Sequence, residues 1–202
     1  SREEWQQLQD NPNDPLFNRA ISGMGYPTGS TIKPLIGLAA LEEGIISANT
    51  KLYSPLEICV QNPWYPDKED CYADWQYHGT SDIKRAIAES VNTFFYQIGG
   101  GYKDFQGLGV SKIKKWLKIF NWGLKTDVDL AKEGEGILPS LNEDWRLGDT
   151  YHLSIGQGPF SITPLQVAAA YVALANGGKI FQPAVVHKII DSDKQVVEEI
   201  NP

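Results

Sequence analysis

Apolar positions recur with helical spacing in five stretches of the chain. Arg2 to Gln9 places Trp5 and Leu8 on one side of a short helix, which Asn-Pro-Asn-Asp-Pro at 11–15 breaks. Residues 30 to 43 carry Ile32, Leu35, Ile36, Ala39, Ala40 and Leu41 on one face, and Gly44 stops them. Pro34 falls at or just beyond the first turn, where a missing N–H costs least, so this helix is expected to start near Thr28–Ser30. A third stretch, Asp82 to Ile98, repeats Ile83, Ala86, Ile87, Val91, Phe94 and Ile98 and ends at Gly99–Gly101. A fourth, Lys112 to Phe120, has Ile113, Trp116, Leu117 and Phe120 at i, i+3, i+4 and i+7, with Gly123 beyond it. The fifth has clear punctuation: Thr163 as N-cap, Pro164 at the first position, apolar residues to Leu174, then Gly177 and Gly178.

The remaining pattern is of two kinds. Residues 48 to 80, with prolines at 55, 63 and 66, scattered aromatics and both cysteines, read as irregular. Pro183 to Ile190 and Gln195 to Ile200 alternate around Asp191-Ser192-Asp193-Lys194 and predict a β-hairpin. The expected chain is mainly α, with little strand.

Composition narrows the function classes. The 202 residues are 42% hydrophobic and include six Trp, nine Tyr and seven Phe, enough for a sizeable core and against disorder. A net charge of −7 argues against nucleic acid as a partner. The densest cationic run, Lys112, Lys114, Lys115 and Lys118, lies between apolar helix positions and reads as a solvated face. No stretch approaches the roughly 18 apolar residues of a membrane span. The sequence opens without Met and in mid-pattern, so the chain is expected to be part of something larger, with any anchor outside it.

Cys59 and Cys71 are 12 apart and leave three options open. They form a disulfide in an oxidising compartment, remain free thiols, or join Asp74 and His78 in a four-ligand metal site.

The sharpest candidate chemistry is Ser30-Thr31-Ile32-Lys33. A serine and a lysine three apart at a helix start share one side of the first turn. A serine hydroxyl is a poor nucleophile until a base takes its proton, and a desolvated lysine can be neutral enough to do so. The helix N-terminus favours anionic character on the serine oxygen. Four residues with two fixed are common, and the bland alternative is an N-capping serine beside a surface lysine. Sixty residues on, polar Ser90 and Asn92 interrupt the apolar run from Ala88 to Tyr96. A second hydroxyl could relay a proton, and an amide could hold a substrate carbonyl. The plain alternative is two residues on an exposed helix side. Gly23, Gly25 and Gly29 follow no strand, so they do not form a dinucleotide-binding turn.

Taken in order, several runs resemble class B penicillin-binding proteins, most of all the elongation-type members. They are Asn18-Arg19-Ala20, Tyr26 to Pro34, Ala88 to Gly99, Gly148-Asp149-Thr150, Ser154 to Gly158, and Thr163-Pro164-Leu165-Gln166. The resemblance covers nearly the whole chain, and the group is known by S-x-x-K, a serine-containing second motif and K-T-G. It implies the helical portion of an α/β transpeptidase fold with a short C-terminal hairpin. It also implies a peptidoglycan D,D-transpeptidase with Ser30 acylated, Lys33 its general base, Ser90 a proton shuttle and Asn92 a substrate-positioning amide. No cofactor and no metal is implied at the site. The implied partners are stem peptides, β-lactams and a glycosyltransferase of the elongation machinery, at the extracytoplasmic face of the cell membrane. Gly156-Gln157-Gly158 is expected to be a structural turn.

The resemblance is incomplete. No Lys-Thr-Gly or Lys-Ser-Gly occurs, and Lys125-Thr126-Asp127 lies in a different segment and does not substitute for it. Residues 1–202 are therefore expected to be a partial transpeptidase domain without the family's flanking sheet strands, crippled in catalysis alone. Two rival readings keep the pattern but change the role: an inactive scaffold of the elongation machinery, and a serine β-lactamase or β-lactam sensor.

Overall fold

The computed structural model describes residues 1–141 and 144–200. Among them, the seven helices dominate and the strands are short and paired in twos. The centre is α4 (Asn92–Gly100), in which every residue from Thr93 to Gly99 is buried. Its sequence, Thr-Phe-Phe-Tyr-Gln-Ile-Gly, offers no polar face to water, and a helix apolar all round must be enclosed. It is enclosed by α2 (Lys33–Glu42), α5 (Gly109–Ile119) and α6 (Leu147–Ser154). Gln97, the polar exception, donates through Nε2 to the carbonyls of Tyr53 and Thr93, each at 3.0 Å. Gly99 lets α6 come close, since a Cβ there would lie 1.8 Å from Ser154 Oγ.

The first helix, α1 (Arg2–Gln9), forms as expected behind a capping box of Ser1 and Glu4. So does α7 (Pro164–Ala175), whose Thr163 Oγ1 accepts from Gln166 N at 3.3 Å. The lysine face of α5 is solvated yet not idle. Lys112 and Lys115 both reach Glu43 at 3.1 Å, and Trp116 Nε1 donates to the same carboxylate at 3.0 Å. The Trp116 bond, then those from Lys115 and Lys112, hold Glu43 down to about 2.

Four expectations change. The helix expected from residue 30 begins as a single 3-10 turn, Gly29–Ile32, and becomes α-helical only at Lys33. The stretch expected as one helix from Asp82 to Ile98 is two, α3 (Ile83–Ala88) and α4, broken at Ser90, whose φ is 54°. Ile87, Val91, Phe94 and Ile98 keep helical spacing across the break, which is why periodicity does not reveal it. The 48–80 region is not irregular. β1 (Leu52–Ser54) pairs with β4 (Gly79–Ser81), and nested inside, β2 (Glu57–Gln61) pairs with β3 (Glu69–Ala73), all antiparallel. Finally, α6 was not anticipated, although Leu147, Thr150, Tyr151 and Ser154 stand at i, i+3, i+4 and i+7.

The expected C-terminal hairpin is present but shorter, β5 (Lys188–Ile190) with β6 (Val196–Glu199), and every residue in both strands is exposed. Cys59 and Cys71 stand opposite one another in the β2–β3 ladder and form a disulfide. That removes the free-thiol and metal options together. Asp74 and His78, the other two expected ligands, are buried and bonded instead to Thr93 and Glu89.

Candidate active site

Two of the four candidate residues, Ser90 and Asn92, bond the ammonium of a third, Lys33, and the fourth, Ser30, joins them through Ser90. Lys33 Nζ donates to Ser90 O at 2.7 Å, Ser90 Oγ at 2.9 Å and Asn92 Oδ1 at 2.7 Å. Ser90 Oγ is in turn 2.9 Å from Ser30 Oγ. The short contacts from Ser30 to Lys33 therefore run through the Ser90 hydroxyl. Ser30 is exposed, so a substrate can reach it, while Lys33 is buried with only 2% of its surface accessible. Burial pushes the Lys33 ammonium down to about 8, and the carboxylate of Asp74 opposes that shift. The Phe95 ring lies 5.4 Å from Nζ and keeps a cation tolerable there.

Lys33 can meet Ser90 only because α3 and α4 are separate helices. In a continuous helix the Ser90 carbonyl would be committed to an amide one turn on; at the break it faces the lysine instead. Neither Ser90 nor Asn92 is a bystander on an exposed helix side.

The loop carrying Ser30 is held by backbone. Tyr26 and Ile162 exchange N–H···O bonds of 2.9 Å, and Gly29 N donates to Gly156 O at 2.8 Å. Gly156 has φ +80°, and a Cβ on it would lie 1.9 Å from Gly29 O. The Gly156-Gln157-Gly158 turn is thus structural, as expected, but what it supports is Gly29, the residue next to Ser30. Tyr171 of α7 adds a bond from its hydroxyl to Thr31 O at 2.9 Å.

Lys125-Thr126 takes no part in this site. Thr126 donates through N and Oγ1 to Glu133 Oε1 at 2.7 and 2.5 Å, an ordinary loop clamp. The residues that the sequence reading did not place at the site are Thr93, Glu89, Asp74 and His78. Asp74 Oδ2 accepts from Thr93 N at 2.8 Å and Thr93 Oγ1 at 3.0 Å, and His78 Nδ1 lies 2.9 Å from Glu89 Oε2. Asp74 and His78 were considered only as metal ligands, because proximity to Cys59 and Cys71 in sequence was the visible signal.

The penicillin binding protein transpeptidase domain family matches residues 3–202. The peptidoglycan D,D-transpeptidase MrdA of Escherichia coli K12 is 34% identical over 207 residues, which is 97% of this chain and 30% of that protein. A structure of penicillin-binding protein PBP2 of Helicobacter pylori in complex with MreC superposes with a TM-score of 0.76 at 36% identity, covering 100% of this chain and 36% of that one. Penicillin-binding protein A of Mycobacterium tuberculosis, as an imipenem acyl-enzyme complex, gives 0.73 at 26% identity over 98% of this chain and 43% of its own. The chain spans about a third of the length of the relatives it matches.

Proposed function

Since the chain belongs to the penicillin-binding protein transpeptidase family, class B and of the elongation type, we propose that it forms the nucleophile-bearing part of a peptidoglycan D,D-transpeptidase. The observation that carries the proposal is the run of short contacts from Ser30 Oγ through Ser90 Oγ to Lys33 Nζ.

The heavy-atom geometry suits both directions of proton flow. With Lys33 as ammonium, Nζ donates to Ser90. With Lys33 neutral, its lone pair accepts the Ser90 proton while Ser90 accepts the proton of Ser30. At pH 7 a group of pKa about 8 is roughly one-tenth neutral, against about 0.03% at an ordinary lysine value. Ser30 Oγ then attacks the carbonyl of the terminal D-Ala–D-Ala bond of a stem peptide. The ammonium returns its proton through Ser90 to the departing D-Ala amine, leaving an ester on Ser30. The amine of a neighbouring stem attacks that ester by the same relay in reverse and releases the cross-linked product. Asn92 accepts from Lys33 with Oδ1, which leaves its amide N–H groups for a substrate carbonyl. The 3-10 turn that opens α2 adds a positive helix end beside the developing alkoxide.

The chain is read as a partial domain, with the oxyanion donor and substrate cation of the third motif supplied from outside residues 1–202. β-Lactams are proposed to acylate Ser30 as donor mimics, and a glycosyltransferase and other elongation components are the proposed partners. The proposed location is the extracytoplasmic face of the cell membrane; no helix among the described residues is long and apolar enough to cross one.

Intact-mass measurement after incubation with benzylpenicillin tests the reading on the full-length gene product and on its Ser30→Ala variant. One antibiotic adduct, absent from the variant, is expected. An adduct that persists in the variant would sink the assignment of Ser30. The 202-residue chain alone is expected to acylate about 10²–10³ more slowly, the usual consequence of one missing oxyanion donor.

A further inference from the structure

We propose that Asp74 and His78, in the loop between β3 and β4, are positioning residues that grip the Ser90-Val91-Asn92 turn from both sides. The inference rests on the transpeptidase reading for the reaction the turn serves.

The turn needs external support on physical grounds. Ser90 is held at φ 54°, a region that non-glycine residues seldom adopt. Directly after it, α4 starts with Val91 at its N-cap, a residue with no side-chain acceptor for the first amides. Asp74 supplies that acceptor from 19 residues away. Its Oδ2 takes both the N–H and the hydroxyl of Thr93, so a buried carboxylate caps the helix on which Asn92 is the first residue. Asp74 is itself fixed, by Oδ1 accepting from Trp75 N at 2.9 Å and by its N–H donating to Leu56 O at 2.6 Å.

His78 grips the other flank. Its Nδ1 meets Glu89, the residue before Ser90, at 2.9 Å, and Glu89 Oε1 also accepts from Arg85 Nε at 2.8 Å. The other ring nitrogen, Nε2, lies 3.7 Å from Asp74 Oδ1 and has no hydrogen-bond partner. The His78 and Asp74 side chains are both wholly inaccessible, and the Trp75 ring covers His78 at 5.2 Å. One short loop thus touches the residue before Ser90 and the residue after Asn92. It also acts on Lys33, where burial lowers the ammonium and the Asp74 carboxylate opposes that shift. The groups in hydrogen-bond or ring contact with Nζ, from Ser90, Asn92 and Phe95, are uncharged.

The test uses the full-length gene product and benzylpenicillin, with the limiting acylation rate and half-saturating concentration measured from pH 6 to 10. Asp74→Ala and His78→Ala are expected to lower the limiting rate by about 10–100-fold, the scale of a small displacement of reacting groups, with little change in half-saturation. Asp74→Asn keeps an oxygen for Thr93 and removes the charge. It should hold most of the high-pH rate while moving the rising limb of the profile to lower pH. Folding of each variant is checked by circular dichroism. Folded alanine variants with the parent's rate at every pH would overturn the proposal. Should those variants fail to fold, Asp74→Asn decides, and an unmoved limb overturns it. The Lys33 Cε resonance, titrated by NMR without antibiotic and assigned with Lys33→Arg, should report a lower pKa in Asp74→Asn. An unchanged value counts against the proposal even if acylation is never seen. Absence of any Ser30 adduct on the parent would instead defeat the transpeptidase reading.

Discussion

The loop that presents Ser30 and the turn that presents Ser90 bring their hydroxyls to 2.9 Å, yet they are built by opposite means. The Ser30 loop is exposed and made of backbone: paired bonds between Tyr26 and Ile162, one from Gly29 to Gly156, and a glycine where no side chain fits. The Ser90 turn is lined by polar side chains, with Asp74, Thr93, His78 and Lys33 all buried around it. A substrate must reach the first, so little can be stacked over it, and main-chain contacts from below hold it. The second keeps Lys33 dry, as the proposed base role requires, so its supports have to be buried groups that satisfy one another. The two halves should therefore fail differently when they are perturbed.

The largest effect should come from the contact that joins them. Ser90→Ala removes the hydroxyl between Ser30 and Lys33, and acylation by benzylpenicillin should fall by about 10²–10⁴, the range for a lost proton-transfer group. Folding should survive, since Ser90 is only partly buried. A fall of less than threefold would mean that Lys33 reaches Ser30 without the relay.

Gly156→Ala attacks the backbone half alone. The new Cβ meets Gly29 O and demands a strained φ, so acylation should drop by about 10²-fold as Ser30 is displaced. The Lys33 titration should remain near 8, because its burial is untouched. Measured together, rate and titration separate the halves; a shifted lysine would show that they are mechanically one.

The pH response belongs to the buried half. In the proposed mechanism neutral Lys33 is the base, so the acylation rate should climb about tenfold per pH unit below 8 and level off above it. Stability carries the matching sign. The folded value of about 8 lies under the ordinary 10.5, so the unfolded chain holds more protons between them and stability rises with pH across that window. Lys33→Gln should lose the slope in a denaturation series.

The smallest effect on rate should follow loss of the disulfide. Cys59→Ser is expected to cost about 3 kcal/mol of stability through the reopened 12-residue separation. Acylation of the folded fraction should change less than about threefold, since β2 and β3 keep their ladder.

Much of this arrangement was legible along the chain. The helical spacing of Leu35, Ile36 and Ala39, and of Ile113 and Leu117, marks buried faces, and Thr163-Pro164 marks a helix start. Ser30, Lys33, Ser90 and Asn92 were readable as a set because short motifs preserve local chemistry and order. The break between α3 and α4 was not, since Val91 and Phe94 continue the helical period through it. Nor were the strands of residues 52–81, which are only three to five residues long and of which β1 and β4 pair across the whole inserted β2–β3 hairpin.

By itself the sequence determined the family, the identity of the nucleophile and base candidates, and which helices must be buried, because periodicity and local motifs are carried by neighbouring residues. Tertiary structure decided that Cys59 bonds to Cys71, that the Ser90 hydroxyl lies between Ser30 and Lys33 at 2.9 Å from each, and that Asp74 caps a helix 19 residues further on. Those outcomes depend on distances between segments, and on which groups lose water when the segments close over Lys33.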